Sequence, residues 1–285
     1  MKISVYTSAF NVIKNSFQWQ EALDNFSQIA DEVVVGLNTS EDGSLEAIQN
    51  YCKDKQYTHV TILSCSFSYD DILFDGKIKN AALQACSGDV LIGLDLDEFI
   101  PIRHKKRWRR WGQQLLERKE DSFMIPMINL WGDARKVRAD QYSKIKLKWY
   151  MHKRGLQRGV VNFARLPNGK IDVDKSDTCE LICANGELAS YSRLLKYVKS
   201  PQEHYEFLEN EGLFVFHTGY INFQNTIDKN TQFWQPHWEE RGGKPYSKIP
   251  LTLEEMTNLL TINHNLSLWR HLPPNKFGSL LATFL

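Results

Sequence analysis

The chain has 285 residues, 42% of them hydrophobic and 12% aromatic, which is enough apolar material for a full core and excludes a disordered or fibrous protein. A formal net charge of +1 excludes a global electrostatic bias toward nucleic acid or membranes, so such a partner has to be argued from local patches. Met1 to Ser8 turns polar too early for a signal peptide, no run of roughly 18 apolar residues occurs, and the five cysteines (Cys52, Cys65, Cys86, Cys179, Cys183) follow no metal-knuckle spacing. A cytoplasmic protein with reduced thiols and no transmembrane segment is expected.

Short β-rich runs alternate with helical stretches along the first hundred residues, the pattern of a parallel sheet covered by helices. Ile3 to Thr7 is predicted as a strand, Gln18 to Ala30 as a helix, Glu32 to Leu37 as a strand, Ser44 to Lys53 as a helix and His59 to Ser64 as the third strand. Lys77 to Cys86 reads as a helix on the recurrence of Ile78, Ala81, Ala82 and Ala85; Ser87-Gly88 ends it, and Asp89 to Leu94 reads as a strand buried on both faces. Beyond Pro101 a basic, tryptophan-containing helix is expected from about Arg103 to Arg118, followed by strands at Phe123 to Leu130 and Ser143 to Tyr150. The latter alternates strictly, which puts Lys144, Lys146 and Lys148 on a wet face and Ile145, Leu147 and Trp149 on the other. Two further helices are expected, one from Ser200-Pro201 to Gly212 and one after Thr252, where Glu255 completes a capping box. A composition shift near Phe223 to Asn225 divides the chain into residues 1–224 and a helical tail, 225–285.

Ligands of open α/β sheets bind beyond the carboxyl ends of the strands, so the polar residues that follow strands are the first candidates for function. They are Thr7-Ser8-Ala9-Phe10-Asn11, Asn38 to Ser44, Lys77 to Asn80 at a helix start, and Asp95-Leu96-Asp97-Glu98. Carboxylates crowded at the end of a buried strand repel one another, and a divalent cation is the simplest remedy. Oxygen ligands suit Mg2+ or Mn2+, which bind through one or two carboxylates together with substrate phosphates. In extended backbone Asp95 and Asp97 would point to the same side, one free for a ribose hydroxyl and the other for the metal, with Glu98 supporting the turn.

Asp31-Glu32-Val33-Val34-Val35, followed by Ser40-Glu41-Asp42-Gly43-Ser44, resembles the second strand and turn of glycosyltransferase family 2. Lys79-Asn80-Ala81-Ala82-Leu83, Ser87-Gly88-Asp89-Val90-Leu91 and Leu94-Asp95-Leu96-Asp97-Glu98 resemble the helix, glycine turn and D-x-D strand of that family. The resemblance implies a GT-A fold, a Rossmann-like mixed sheet flanked by helices, with residues 1–100 binding a nucleotide-diphosphate sugar and 101–224 the acceptor. It implies donor contacts from Thr7, Ala9, Asn11, Asp42, Lys79, Asp95 and Leu96, a metal held by Asp97, and inversion at the anomeric carbon. Cys179-Glu180-Leu181-Ile182 with Gly186 is similar to a later family segment whose glutamate is the catalytic base, which makes Glu180 the candidate base; Asp133, Asp172, Asp174 and Asp177 are alternatives. Phe214 to Tyr220 resembles an F-H-x-G-Y segment, which implies that His217 completes the metal site. Where the family often carries a pyrimidine-reading aspartate this chain has Leu37 or Asn38, and uridine is the favoured donor base.

The acceptor is less legible. The run Arg103 to Trp111 reads either as a solvated helix face or as a contact for an anionic surface or polyanion. Lys144, Lys146, Lys148, Lys153, Arg154 and Arg158 form a second basic set, and if both flank one cleft the acceptor is anionic, with DNA as an option beside a glycan or lipid-linked saccharide. Phe233 to Trp238 either stacks on a sugar or packs a tail helix. A nucleotidyltransferase would carry a glycine-rich loop where Thr7 to Asn11 stands, and a noncatalytic binding protein would have no need of Asp95, Asp97 and Glu180 together.

Overall fold

The computed structural model describes residues 1–15, 17–71, 73–132, 136–138, 146–158, 182–185, 187–193, 207–208, 210–229, 231–232, 252–258 and 261–263. At its centre is a nine-stranded mixed sheet. Strands β1 (Ile3–Ala9), β2 (Glu32–Asn38), β3 (Val60–Cys65) and β4 (Val90–Gly93) pair in parallel in the spatial order β3-β2-β1-β4. The α/β alternation expected of the first hundred residues is therefore present, with strand ends within a few residues of those predicted.

Beyond β4 the sheet changes sense. The short β5 (Glu98–Phe99) leaves the end of β4, and β6 (Ser122–Asn129) and β8 (Lys146–Lys153) complete an antiparallel half in the order β4-β8-β6. The strands β12 (Tyr191–Arg193) and β13 (Val215–His217) run parallel to β6, and β13 returns antiparallel to β5. This is the mixed, helix-flanked sheet that the family resemblance implies. Two small sheets are added, one of β9 (Gln157–Arg158), β10 (Ile182–Ala184) and β11 (Glu187–Leu188), the other of β7 (Lys136–Arg138) and β14 (Thr261–Asn263).

Residue alternation along the strands assigns the two faces. Val5, Val33, Val35 and Ile92 face α1 (Trp19–Ile29), α2 (Ser44–Asp54) and α4 (Lys105–Glu117), which contribute Leu23, Phe26, Ile48, Trp108 and Leu115. Tyr6, Val34 and Leu91 face the other way, onto Ala82 and Leu83 of α3 (Phe74–Ala85) and onto Leu156 and Ile182. Each of the large side chains so buried stabilises the fold by about 1.5–3 kcal/mol. Helix α3 starts three residues before the predicted Lys77, because Asp71 nucleates its first turn: its carboxylate accepts the Leu73 N–H and its carbonyl the Phe74 N–H.

Strand β8 departs most from expectation. The pairing of Phe123 with Met151 and of Ile125 with Lys148 makes three steps of β8 match two of β6, a bulge that breaks the strict alternation predicted for Ser143 to Tyr150. Lys148, opposite Ile125 and paired with Asp95 and Glu98, lies 5% exposed rather than on a wet face. The second basic set is split: Arg158 is buried against the Tyr6 ring, whereas Lys153 and Arg154 stay at the surface and donate to the carbonyls of Arg118 and Ser87. Lys144 lies outside the described residues.

Gly212 closes its helix as predicted, at φ +63° with its N–H on the Leu208 carbonyl. A helix at Phe223–Lys229 runs across the expected 224/225 division, and Phe223 packs on Trp131. A second, Leu253–Asn258, follows Thr252 as expected; Trp131 Nε1–H donates to its Met256 carbonyl. No helix among the described residues is long and apolar enough to cross a membrane.

Under the sheet, the buried Tyr6 hydroxyl accepts the Arg158 Nε–H at 2.7 Å and donates to His152 Nε2 at 3.0 Å, while His152 Nδ1–H donates to the Lys153 carbonyl. Burial lowers the His152 pKa from 6.5 to about 3, so the folded protein holds this imidazole neutral. The unfolded chain protonates it near 6.5, so between these values the unfolded state binds more protons and stability falls as pH falls through the window. Unfolding free energies from urea titrations between neutral pH and pH 4 are expected to decline by up to ~1.4 kcal/mol per pH unit more in the parent than in His152→Gln, which has no proton to take up. Parallel curves would refute a neutral His152.

Candidate active site

The acidic segment lies where the sequence places it, just past the end of β4, but not in the extended form expected. Residues 95–98 make a turn: the Glu98 N–H returns to the Asp95 carbonyl at 3.0 Å, and the Glu98 carboxylate accepts the Asp95 N–H at 2.8 Å. The two aspartates therefore diverge instead of sharing one side. Glu98, 1% exposed, supports the turn as expected, and its other oxygen accepts Lys148 Nζ and the Tyr150 hydroxyl, each at 2.7 Å.

Asp95 turns toward two lysines, with Lys79 Nζ at 2.7 Å and Lys148 Nζ at 3.2 Å. Burial opposes its ionisation, yet the ammonium groups of Lys148 and Lys79 hold its carboxyl well below the usual carboxylate range. Lys79 sits one turn inside α3 rather than at its start, bridging Asp95 and Asp75 at 3.2 Å, and Asp75 accepts the Ser8 hydroxyl at the end of β1 at 2.7 Å. One chain of charges thus ties the ends of β1 and β4 to α3 and β8.

Asp97 turns toward β13. Its carbonyl accepts the Thr218 N–H at 2.8 Å and the Thr218 hydroxyl at 3.1 Å, and its carboxylate lies 3.5 Å from His217 Nε2. His217 Nδ1–H donates to Asn129 Oδ1 at 2.7 Å, which turns Nε2 toward the Asp97 carboxylate. A carboxylate oxygen and an imidazole nitrogen 3.5 Å apart can be bridged by one divalent cation, and an acceptor that orients the imidazole is what metal-binding histidines require. Gly219 keeps the space beside them open, since a Cβ there would meet His217 Nε2 at 2.8 Å and Asp97 Oδ2 at 2.9 Å. The pair therefore fits a Mn2+ or Mg2+ that takes its remaining ligands from phosphate and water. No group of three or more His, Cys, Asp and Glu side chains suited to a metal occurs among the described residues.

The other sequence candidates surround this centre at the strand ends. Thr7, Ala9 and Leu96 are buried. Asn11, at φ 46°, donates its N–H to Ser40 Oγ at 3.0 Å and accepts the Glu41 N–H, joining the loops after β1 and β2. The Asp42 carboxylate accepts the N–H groups of Ile13, Lys14 and Ser44, and these bonds keep its pKa low against burial, which raises it. Asn38 is fully engaged by Phe67, donating to its carbonyl at 2.9 Å and accepting its N–H at 2.8 Å, so it clamps the loop after β3. Glu180 and its alternatives Asp133, Asp172, Asp174 and Asp177, with Cys179 and Phe233 to Trp238, lie outside the described residues.

Sequence reasoning missed Lys148, Tyr150, Asn129 and Asp75. None carries a local motif, and Lys148 and Tyr150 reach the site only because β8 pairs beside β4. It also left open whether the basic helix flanks the site. Arg109 pairs with Asp31 at 2.5 Å just ahead of β2, and Gly112 lies against Met1 and against Val90, the first residue of β4. That stretch of α4 is at the opposite end of the strands from the acidic turn.

No protein-family model and no curated protein matches the chain. Solved structures are similar at low identity. Residues 1–349 of S. aureus TarS align over 90% of this chain and 77% of that one, at 15% identity and a TM-score of 0.41. The complex of the same piece with UDP-GlcNAc aligns over 96% and 82%, again at 15% identity, with a TM-score of 0.42. The mannosyltransferase PcManGT of Pyrobaculum calidifontis, in complex with GDP-Man and Mn2+, aligns over 44% of this chain and 35% of that one at 19% identity, with a TM-score of 0.36. These likenesses lie in the fold alone.

Proposed function

We propose that the chain is a metal-dependent, inverting glycosyltransferase of the GT-A class. It moves a sugar from a nucleotide-diphosphate donor, with a UDP-sugar favoured, to a hydroxyl of a glycan or lipid-linked saccharide. The observation that carries this reading is the acidic turn at the carboxyl end of β4, in a β3-β2-β1-β4 sheet, with the Asp97 carboxylate 3.5 Å from Nε2 of an oriented His217. Asp97 and His217 would hold Mn2+ or Mg2+, which supplies Lewis-acid neutralisation of the charge that grows on the leaving diphosphate. Thr7, Ala9, Asn11, Asp42 and Leu96 shape the nucleoside end of the site, Asp95 serves the ribose, and Lys79 the phosphates. Glu180 accepts the proton that the acceptor hydroxyl loses as it attacks the anomeric carbon. Residues 1–224 form the catalytic unit, with 225–285 as an extension.

The acceptor is read as a saccharide rather than DNA. Two observations support that choice: the middle of the basic helix lies at the far end of the strands, and Lys148 and Arg158 are buried in ion-pair and aromatic contacts.

The test is a thermal-shift panel of UDP-GlcNAc, UDP-glucose, UDP-galactose and GDP-mannose with and without Mn2+. A ligand that binds only the folded state, at a hundred times its Kd, adds about 2.7 kcal/mol. One donor is expected to raise Tm in a Mn2+-dependent way. No shift with any donor in either Mn2+ or Mg2+ would overturn the reading.

A further inference from the structure

Lys148 was expected at the surface, and the structure buries it beneath the acidic turn. Its ammonium group reaches both ends of that turn, Asp95 Oδ2 at 3.2 Å and Glu98 Oε1 at 2.7 Å, and stands 5.6 Å from the Tyr150 ring centroid. Strand β8 puts it there: Lys148 stands opposite Ile125 of β6, and Lys148 and Tyr150, two residues apart, both reach the Glu98 carboxylate. Glu98 in turn sets the geometry of Asp97 from two directions. Its side chain closes the 95–98 turn through the Asp95 N–H, and its backbone pairs with His217 in the β5–β13 ladder. Any rotation of the Glu98 side chain therefore acts on a turn whose third residue is Asp97 and whose last is in register with His217.

We propose that Lys148 is a positioning residue of the cation site. By clamping Asp95 to Glu98 it holds the turn that aims Asp97 at His217, and the affinity for a divalent cation depends on an ammonium group that does not touch it. This rests on the reading that Asp97 and His217 hold the cation. Without Lys148, Asp95 keeps Lys79, but the buried Glu98 loses an ammonium partner and the ionic link between the two ends of the turn is gone, so the turn must open, neutralise or rotate. Tyr150 braces the same carboxylate with one uncharged hydrogen bond, so its removal should act in the same direction and more weakly.

The experiment is a titration with Mn2+ alone, free ion being followed by electron paramagnetic resonance, on parent, Lys148→Met, Lys148→Arg, Tyr150→Phe and Asp97→Ala proteins, each checked for folding by circular dichroism. Lys148→Met is expected to weaken Mn2+ binding by at least about tenfold, the range for residues that orient metal ligands. Lys148→Arg, which keeps the charge, is expected to recover part of the loss, and Tyr150→Phe to weaken binding by about threefold, the effect of one hydrogen bond. A merely structural Lys148 would lower Tm and leave the Mn2+ affinity of the folded protein unchanged. Parental affinity in Lys148→Met overturns the proposal, and if that variant does not fold, parental affinity in Tyr150→Phe does so. Asp97→Ala separates the two layers. If it abolishes Mn2+ binding while the Lys148 and Tyr150 variants bind normally, only this inference fails; if Asp97→Ala binds Mn2+ normally, the cation site itself is misplaced.

Discussion

Replacing Asp97 by alanine is expected to abolish metal-dependent turnover of the nucleotide-sugar donor while leaving the fold in place. The prediction separates two roles carried by one residue. The main-chain carbonyl of Asp97 receives the N–H and hydroxyl of Thr218, and these bonds survive the substitution because they do not involve the side chain. The carboxylate faces His217 Nε2 across 3.5 Å, and its loss leaves a single imidazole to hold the cation, too little for a hard divalent ion that relies on charged oxygen. Donor hydrolysis or transfer is measured with Mn2+ and Mg2+, alongside the circular dichroism spectrum and Tm. Undiminished activity in a folded Asp97→Ala protein would remove the metal from this turn.

The second large effect is expected at Glu180. An acceptor hydroxyl is a poor nucleophile until its proton is taken, and glutamine keeps the shape of glutamate while offering no basic site, so Glu180→Gln should reduce transfer by at least about a hundredfold. Donor affinity should remain, because the base acts on the acceptor; calorimetric titration of the donor with Mn2+ measures that separately. Unchanged turnover with normal donor binding would shift the role to Asp133 or Asp177.

The parallel half of the sheet was readable residue by residue because its code is local. Alternation at Val33, Val34 and Val35 assigns their faces without reference to any partner, and Ser87-Gly88 marks the stop before β4. The turn at Asp95 to Glu98 was located but misdrawn, since an extended D-x-D sends both aspartates one way, whereas the returning Glu98 hydrogen bonds send Asp95 to Lys79 and Lys148 and Asp97 to His217. The strand at Lys146–Lys153 was misread for a different reason. A bulge is a property of two strands, and nothing in the run Lys146 to Tyr150 announces that β6 will oppose three of its steps with two.

The sequence by itself determined the α/β order, the apolar strands, and the presence at one strand end of an acidic cluster that calls for compensating positive charge. Those follow from periodicity and from charge repulsion between near neighbours, both of which act over a few residues. Only the tertiary structure decided which charges compensate that cluster. Lys148 is more than fifty positions from Asp95 and His217 well over a hundred from Asp97, and a Coulombic contact depends on distance in space, which only the folded sheet sets. The same closure put the middle of the basic helix at the start of the strands and the acidic turn at their end, so a charge run and a carboxylate cluster that are neighbours in sequence are separated in the folded protein.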